Sequence, residues 1–182
     1  MGDFSFAGEH STLYHVRLLK SPISVLPGTR DKIITLPGRH GSLRMLPDLG
    51  ERSLQLECWL AASTIAELHR RLENVRAWLN PLRGVQRLIF DSTPDRFYNA
   101  TYAGGNLDAE TTAMQGLFSI DFVCPDPFAY SDDREVHQNI ISLPGRIKIT
   151  SFGSLATYPT ITVTNQATQI MTGFNISYFK EV

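Results

Sequence analysis

A chain of 182 residues, 42% hydrophobic and 19% charged, suffices for one domain or two small ones and can build a core. Its 17 Lys and Arg against 18 Asp and Glu give a net charge of -1, which argues against a general nucleic-acid binder. Two cysteines exclude a disulfide framework and a four-thiolate zinc site, and no apolar run is long enough to span a bilayer. With no Sec-type signal at its N-terminus, the sequence predicts a soluble globular protein made in a reducing cytosol.

Alternation of apolar and polar residues dominates the first two thirds of the chain and predicts half-buried β-strands. The predicted strands are residues 4–8, 14–18, 53–60, 85–90, 97–102 and 118–124. In the two longest of them, the residues expected on one apolar face are Leu54, Leu56, Cys58 and Leu60, and Phe118, Ile120, Phe122 and Cys124. Three Leu-Pro-Gly sequences, 26–28, 36–38 and 143–145, predict type II turns, because proline presets the second turn position and glycine accepts the positive φ of the third.

One segment has helical periodicity instead. Between residues 64 and 79, the apolar residues at spacings of three and four are Ile65, Leu68, Leu72, Val75 and Leu79. Thr64 and Glu67 have the spacing of a capping box, and Asn80-Pro81 ends the helix because proline disfavours helical backbone in the residue before it. We expect the stripe to pack on the sheet that carries Leu54, Leu56 and Cys58.

The sequence pattern changes after the short, highly charged segment 131–135. Short strands are predicted at 147–150, 160–164 and 175–179. We therefore expect an N-terminal β domain over residues 1–135 with the helix 64–79, and a C-terminal β segment over 136–182. That segment offers too much apolar surface for its length to stand alone, so it is either part of a larger sandwich or a docking arm.

No catalytic, cofactor or metal site is predicted. The five histidines, His10, His15, His40, His69 and His137, form no metal-binding pair. Cys58 and Cys124 fall on inward strand faces, where cysteine acts as a small apolar residue. Asp91 and Asp95 flank a proline and fit a turn better than an acid–base pair. Aromatic residues that could stack on sugars, but fit a core better, are Tyr98, Tyr102, Phe118, Phe122 and Phe128.

The order of several segments carries more information than any one of them. These segments are Phe4-Ser5-Phe6-Ala7-Gly8, Leu36-Pro37-Gly38-Arg39-His40-Gly41, the helix end Ala77-Trp78-Leu79-Asn80, Leu88-Ile89-Phe90-Asp91 with Pro94-Asp95, Phe97-Tyr98-Asn99-Ala100, and the run 120–130. In this order they resemble the distal tail protein family of long-tailed, non-contractile phages and prophages. The resemblance covers residues 1–130, and 152–161 resembles the first strands of that family's C-terminal galectin-like or carbohydrate-module-like β-sandwich, for which the chain is too short.

The resemblance implies a fold that is mainly β with one α-helix: an N-terminal β-sandwich or tail-tube-like domain, then an incomplete C-terminal sandwich segment. It implies a structural hub and not an enzyme: a ring, commonly a hexamer, at the tail tip of the virion, assembled in the host cytoplasm. Implied partners are the tail tube protein, the tail-associated lysin or tail fibre protein and the tape-measure protein, without specific nucleic-acid binding, membrane insertion or cofactor.

Three further expectations remain. A genome slides through such a ring, so the lining should be neutral or acidic, with Asp108 and Glu110 as candidates. The turn Pro37-Gly38-Arg39-His40-Gly41 should shape a connection that packs in the ring. The alternative function, a carbohydrate-binding module that contacts the host surface, depends on Trp59, Trp78 and the tyrosines.

Overall fold

The computed structural model describes residues 2–20, 26–106, 115–141, 145, 147–150, 153–155, 157–166, 168–169, 173 and 175–176. Asp108, Glu110 and part of the C-terminal segment, including 177–179, lie outside these residues. The chain divides into two compact units, Met1–Arg134 and Glu135–Val182. Regular secondary structure, within the described residues, is confined to the first unit.

The first unit is mainly β with one α-helix, as the sequence predicts. Its strands are β1 Phe4–Phe6, β2 Glu9–His10, β3 Val16–Lys20, β4 Thr29–Arg30, β5 Ile33–Ile34, β6 Leu43–Arg44, β7 Asp48–Leu49, β8 Arg52–Ala61, β9 Gln86–Phe90, β10 Phe97–Gly104, β11 Gln115–Cys124 and β12 Ala129–Tyr130. The α-helix, α1, is Ile65–Trp78, and short 3-10 helices span Ser11–Tyr14 and Pro81–Arg83.

Eight strands form one antiparallel sheet in the order β2-β1-β9-β10-β11-β8-β3, with β12 beside β10. The strand β10 joins the two halves, because its first residues pair with β9 and its last with β11. Within the β10–β11 pairing the register shifts between Tyr102 and Gly104. The halves then face each other: Phe4 and Phe6 of β1 lie 6.3 and 4.8 Å, between ring centroids, from Phe122 of β11. The sheet is a curled half-barrel with its core inside.

The long predicted strands occur in the predicted register of inside and outside. Leu56 of β8 stands opposite Ile120 of β11, and Cys58 opposite Phe118, and all four are buried. Because successive side chains of a strand alternate between faces, this register fills the inside of the half-barrel with apolar side chains and leaves its outer face to the intervening residues.

The helix begins and ends where the sequence predicts. Thr64 is the N-cap, its Oγ1 accepts a hydrogen bond from the backbone N–H of Glu67 at 3.1 Å, and the Glu67 carboxylate accepts one from Ser63 N–H at 3.0 Å. Leu68, Leu72 and Val75 are buried in the same cluster as the apolar face of β8.

Trp78, at the end of α1, ties the helix to the N-terminal strand. Its indole N–H donates to the carbonyl of Phe6 at 3.0 Å, and its ring lies flat on Tyr14 with 4.5 Å between centroids. This contact explains one wrong expectation. A strand was predicted from Tyr14, but Tyr14 ends the first 3-10 helix, His15 takes a left-handed φ of 58°, and β3 begins at Val16.

The carboxylate of Asp3, the residue before β1, links that strand to β3 at the far edge of the sheet. It accepts hydrogen bonds from the backbone N–H of Leu18 on β3 at 3.0 Å and from the Arg17 guanidinium at 2.6 Å. Asp3 is only 8% exposed, so these donors satisfy a buried charge. A side chain, not a strand ladder, thus joins β1 to β3.

The second unit differs from the sequence-based expectation. Residues 147–150 and 160–164, predicted as strands, have no regular secondary structure, and the apolar side chains of Ile147, Ile149, Ile161 and Val163 are 44–60% exposed. A strand needs a ladder partner and a surface to pack on, and within the described residues of this unit neither is present.

Candidate assembly surface

The residues with the most suggestive chemistry serve the fold. His10 lies with Nδ1 2.7 Å from Thr12 Oγ1 and Nε2 3.2 Å from Asp91 Oδ1. The same Nδ1 accepts the Thr12 backbone N–H, so His10 caps the 3-10 helix. The other oxygen of Asp91 accepts the backbone N–H of Asp3 at 2.8 Å. This cluster holds the N-terminus to the end of β9. It contains the residue types of a serine-protease triad but not its geometry, because the hydroxyl lies at Nδ1 and the carboxylate at Nε2, the reverse of the catalytic arrangement.

The other titratable candidates do not come together. Asp95 is exposed, and its carboxylate lies 3.7 Å from the Arg96 guanidinium. His40 is exposed and distant in sequence from both Asp91 and Asp95. His15 and His69 are exposed as well, and His137 pairs with Glu135 in the second unit at 3.2 Å. Throughout the described ranges, no three His, Cys, Asp or Glu side chains are grouped so that they could hold a metal ion.

Both thiols are buried and unreactive by environment. Burial, followed by the nearby charge of Asp3, raises the pKa of Cys58 to about 12. Burial raises the pKa of Cys124 to about 11, against the opposing effect of Arg52. A nucleophilic cysteine needs a lowered pKa and access, so these two are core residues, as the sequence indicates.

The aromatic residues also divide between core and surface. Phe118, Phe122 and Trp78 are buried, whereas Trp59 is half-buried on the outer face of β8. Opposite Trp59 stand Leu117 of β11 and Arg17 of β3.

Among the described residues of the first unit, residues 26–50 form a two-stranded ribbon separate from the main sheet, here called the arm. In it β4 pairs with β7 and β5 with β6, and both pairs are antiparallel. Further backbone bonds run from Gly50 N–H to Gly28 O at 2.7 Å and from Met45 N–H to Lys32 O at 3.0 Å. Asp31 and Arg44 form an ion pair across it. The arm is thus a ribbon held by its backbone.

The arm carries several apolar side chains that are exposed to solvent. They are Leu26, Ile33, Leu36, Leu43, Met45, Leu46 and Leu49, with exposed fractions from 37% to 92%. An isolated two-stranded ribbon is marginal in water, and several exposed apolar side chains on one short segment indicate an interaction site. The arm is therefore the strongest candidate contact surface of the first unit.

The turn at the arm's tip has the predicted geometry. Arg39 N–H donates to Leu36 O at 3.3 Å, and Gly38 has a φ of 78°. Gly41 also has a positive φ, 83°. The prediction at 26–28 is wrong, because Gly28 lacks a positive φ and instead begins the arm. At 143–145, Leu143 and Pro144 lie outside the described residues.

Sequence reasoning found this turn but missed the arm. The sequence feature that indicates the arm is a run of isolated apolar residues among prolines and glycines, without the strict alternation of a long strand. It also missed Asp121, whose Oδ1 is buried on the outer side of β11 without a hydrogen-bond partner among the described residues.

Comparison with known proteins decides the family. The family model of the phage tail protein RIFT-related domain matches residues 10–124, more than half of the chain. The chain belongs to this family. It is a phage tail protein, so the resemblance seen in the segment order is confirmed at that level, and the matched range includes the arm, α1 and most of the sheet. No curated protein matches the sequence.

The fold matches that of a known tail protein. The crystal structure of phage SPP1 Dit (gp 19.1), described as a paradigm of the hub adsorption apparatus in phages that infect Gram-positive bacteria, superposes with a TM-score of 0.62 at 20% identity. The match covers 72% of this chain and 52% of that one, so the chain corresponds to about half the length of SPP1 Dit. The fold class expected from the sequence is thereby confirmed. Among the described residues, no helix is both long and apolar enough to cross a bilayer.

Proposed function

We propose that this tail protein is a non-enzymatic distal tail hub that assembles head-to-tail into a ring, a hexamer, at the tip of the tail tube. The observation that carries the proposal is the arm: a ribbon with exposed apolar side chains on a well-packed half-barrel. When one surface of a chain binds a different surface of an identical neighbour, the contact repeats from chain to chain, and it forms a closed ring if the repeated rotation adds up to a full turn. Membership of the tail family and the hub fold of SPP1 Dit support the same assignment.

In this proposal the ring joins the tail tube protein on one side to the tail-associated lysin or tail fibre protein on the other, and the tape-measure protein occupies its channel. A neutral or acidic lining with Asp108 and Glu110 remains part of the proposal. Residues 136–182, which are separate from the arm at 26–50, act as a docking segment or as the start of a larger sandwich. The ring forms in the host cytoplasm and functions in the virion.

The test is the mass of the particle in solution. Multi-angle light scattering and native mass spectrometry of the full chain should show a ring several times the 20.4 kDa protomer. Leu46→Glu should disperse it, because a charge placed at an interface core must be desolvated. Leu82→Glu is the matched control: Leu46 is 92% exposed and Leu82 is 91% exposed, but only Leu46 lies on the arm. A wild-type monomer contradicts the proposal, and equal effects of the two changes contradict the role of the arm.

The alternative, a carbohydrate-binding module, finds little support in the positions of its residues. Trp78 is 1% exposed and fully engaged with Phe6 and Tyr14. Trp59 lies on a strand between two neighbours instead of on a loop. Glycan-array binding by the isolated chain that is lost in Trp59→Ala would favour this alternative.

A further inference from the structure

The outer face of the half-barrel contains a cleft beside an unusual carboxylate. The cleft, about 330 Å³, lies over β8 and β11 where Gln55 stands opposite Asp121, and is lined by Ser53, Leu54, Gln55, Asp121, Phe122 and Val123. Among the described residues that line it, Asp121 alone is ionisable.

Asp121 lacks the partners that other charged residues of this face have. Lys20 pairs with Glu57 at 3.4 Å, and Arg17 pairs with Asp3. In the part of the chain that the structure describes, Asp121 has no ion pair, and its Oδ1 is buried without a hydrogen bond. A cation that reached the cleft would supply the hydrogen bond that this buried oxygen lacks.

A free cation of suitable shape is present at the tip of the arm. Arg39 is exposed in the Leu36-Pro37-Gly38-Arg39 turn and has no ion pair among the described residues. Arg44, by contrast, is paired with Asp31, and Arg30 donates to the carbonyl of Leu49 at 3.5 Å. A guanidinium presents a planar fork of donors that matches both oxygens of a carboxylate, which suits it to a partly buried ion pair.

The tip and the cleft lie at opposite ends of the same ribbon. The cleft begins at Ser53, directly after the root of the arm, where Gly50 bonds to Gly28. The paired strands run from Leu49 to Leu43, and at about 3.3 Å per residue this places the tip roughly 20 Å from the root in an extended ribbon. Among the described residues no ion pair joins Arg39 to the Asp121 of the same chain, so both groups are available to a second copy.

We propose that the Arg39 guanidinium of one copy binds the Asp121 carboxylate in the cleft of the next copy. The inference rests on the proposed ring and names one of its contacts. Each chain then supplies one tip and one cleft, which is the heterologous arrangement that closes a ring. The apolar side chains of the arm supply contact area, while the ion pair fixes which part of the neighbour the tip engages.

A charge-swap experiment on the full chain tests this pairing. We expect Arg39→Glu and Asp121→Arg each to raise the dissociation constant of the ring, measured by analytical ultracentrifugation, at least about tenfold. The double variant should return to within about threefold of wild type. Lys32→Glu is the matched control, because Lys32 is exposed on the same arm, away from the tip, and should leave the constant unchanged.

The outcomes separate the inference from the proposed function. A monomeric wild type overturns both. A wild-type ring that Arg39→Glu leaves intact, or a double swap without recovery, overturns only the pairing and shows that the cleft takes another cation or none. If Asp121→Arg fails to fold by circular dichroism, Asp121→Asn combined with Arg39→Gln replaces it. The pairing then requires the double variant to weaken the ring no more than either single change.

Discussion

Removing the indole N–H of Trp78 while keeping an aromatic ring should destabilise the first unit strongly. Trp78→Phe loses the 3.0 Å bond to the Phe6 carbonyl, which costs about 1–3 kcal/mol when the acceptor stays buried. The smaller ring also leaves space beside Phe4 and Tyr14, whose centroids lie 5.7 and 4.5 Å from that of Trp78, and this adds about 1 kcal/mol. We expect a total loss of about 2–4 kcal/mol.

Urea unfolding followed by circular dichroism at the helix band measures this loss without depending on tryptophan fluorescence. Trp59→Phe serves as the control, because Trp59 is half-buried on the outer strand face and should change stability by less than about 0.5 kcal/mol. Equal effects at the two positions, or a change below about 0.5 kcal/mol for Trp78→Phe, would show that Trp78 does not hold α1 to β1.

Other changes test the core and its thiols. Leu72→Ala removes a side chain that is 5% exposed and should cost about 2–5 kcal/mol by urea unfolding, whereas a near-neutral result would place the helix stripe outside the core. Thr64→Ala should cost about 1 kcal/mol through the lost N-cap, and Thr64→Ser should restore most of it. Because the folded pKa values of Cys58 and Cys124 are raised, the cysteine contribution to stability should be constant below about pH 9 and fall as the pH rises towards 11–12. In urea unfolding, Cys58→Ala should lose stability less steeply above about pH 9 than the wild type, and the raised pKa values of Tyr14, Tyr102 and Tyr130 should keep part of that loss in place.

The sheet and helix were predictable because each buries one face and exposes the other, so that apolar residues recur at a regular spacing. The alternation in 53–60 and 118–124 survives in β8 and β11, and the stripe from Leu68 to Val75 survives in α1, since each buries one face. The capping residue Thr64 and the stop at Asn80-Pro81 are local chemistry and need no tertiary information.

The arm and the Asp121 cleft were not predictable for a different reason. The pairing of Ile33 with Arg44 and Thr29 with Leu49 depends on which turn closes the ribbon, and its isolated apolar residues have no period. Whether Asp121 has a hydrogen-bond partner depends on the residues that lie near it in the folded chain. Gln55 stands opposite it and does not bond to its Oδ1. Tyr14 was misplaced because its stacking on Trp78 is a long-range contact that overrides local strand propensity.

The position of β1 in the sheet has a consequence for synthesis on the ribosome. Phe4 and Phe6 stand opposite Phe90 and Leu88 of β9, and the hydrogen bond from the Asp3 backbone N–H to the Asp91 carboxylate spans 88 residues of chain. At about 5–20 residues per second, the first strand waits roughly 4–18 s before the segment that it pairs with is made. During that interval its two phenylalanines are available to chaperones, and the sheet is completed later still, because β10 and β11 follow β9 in the chain.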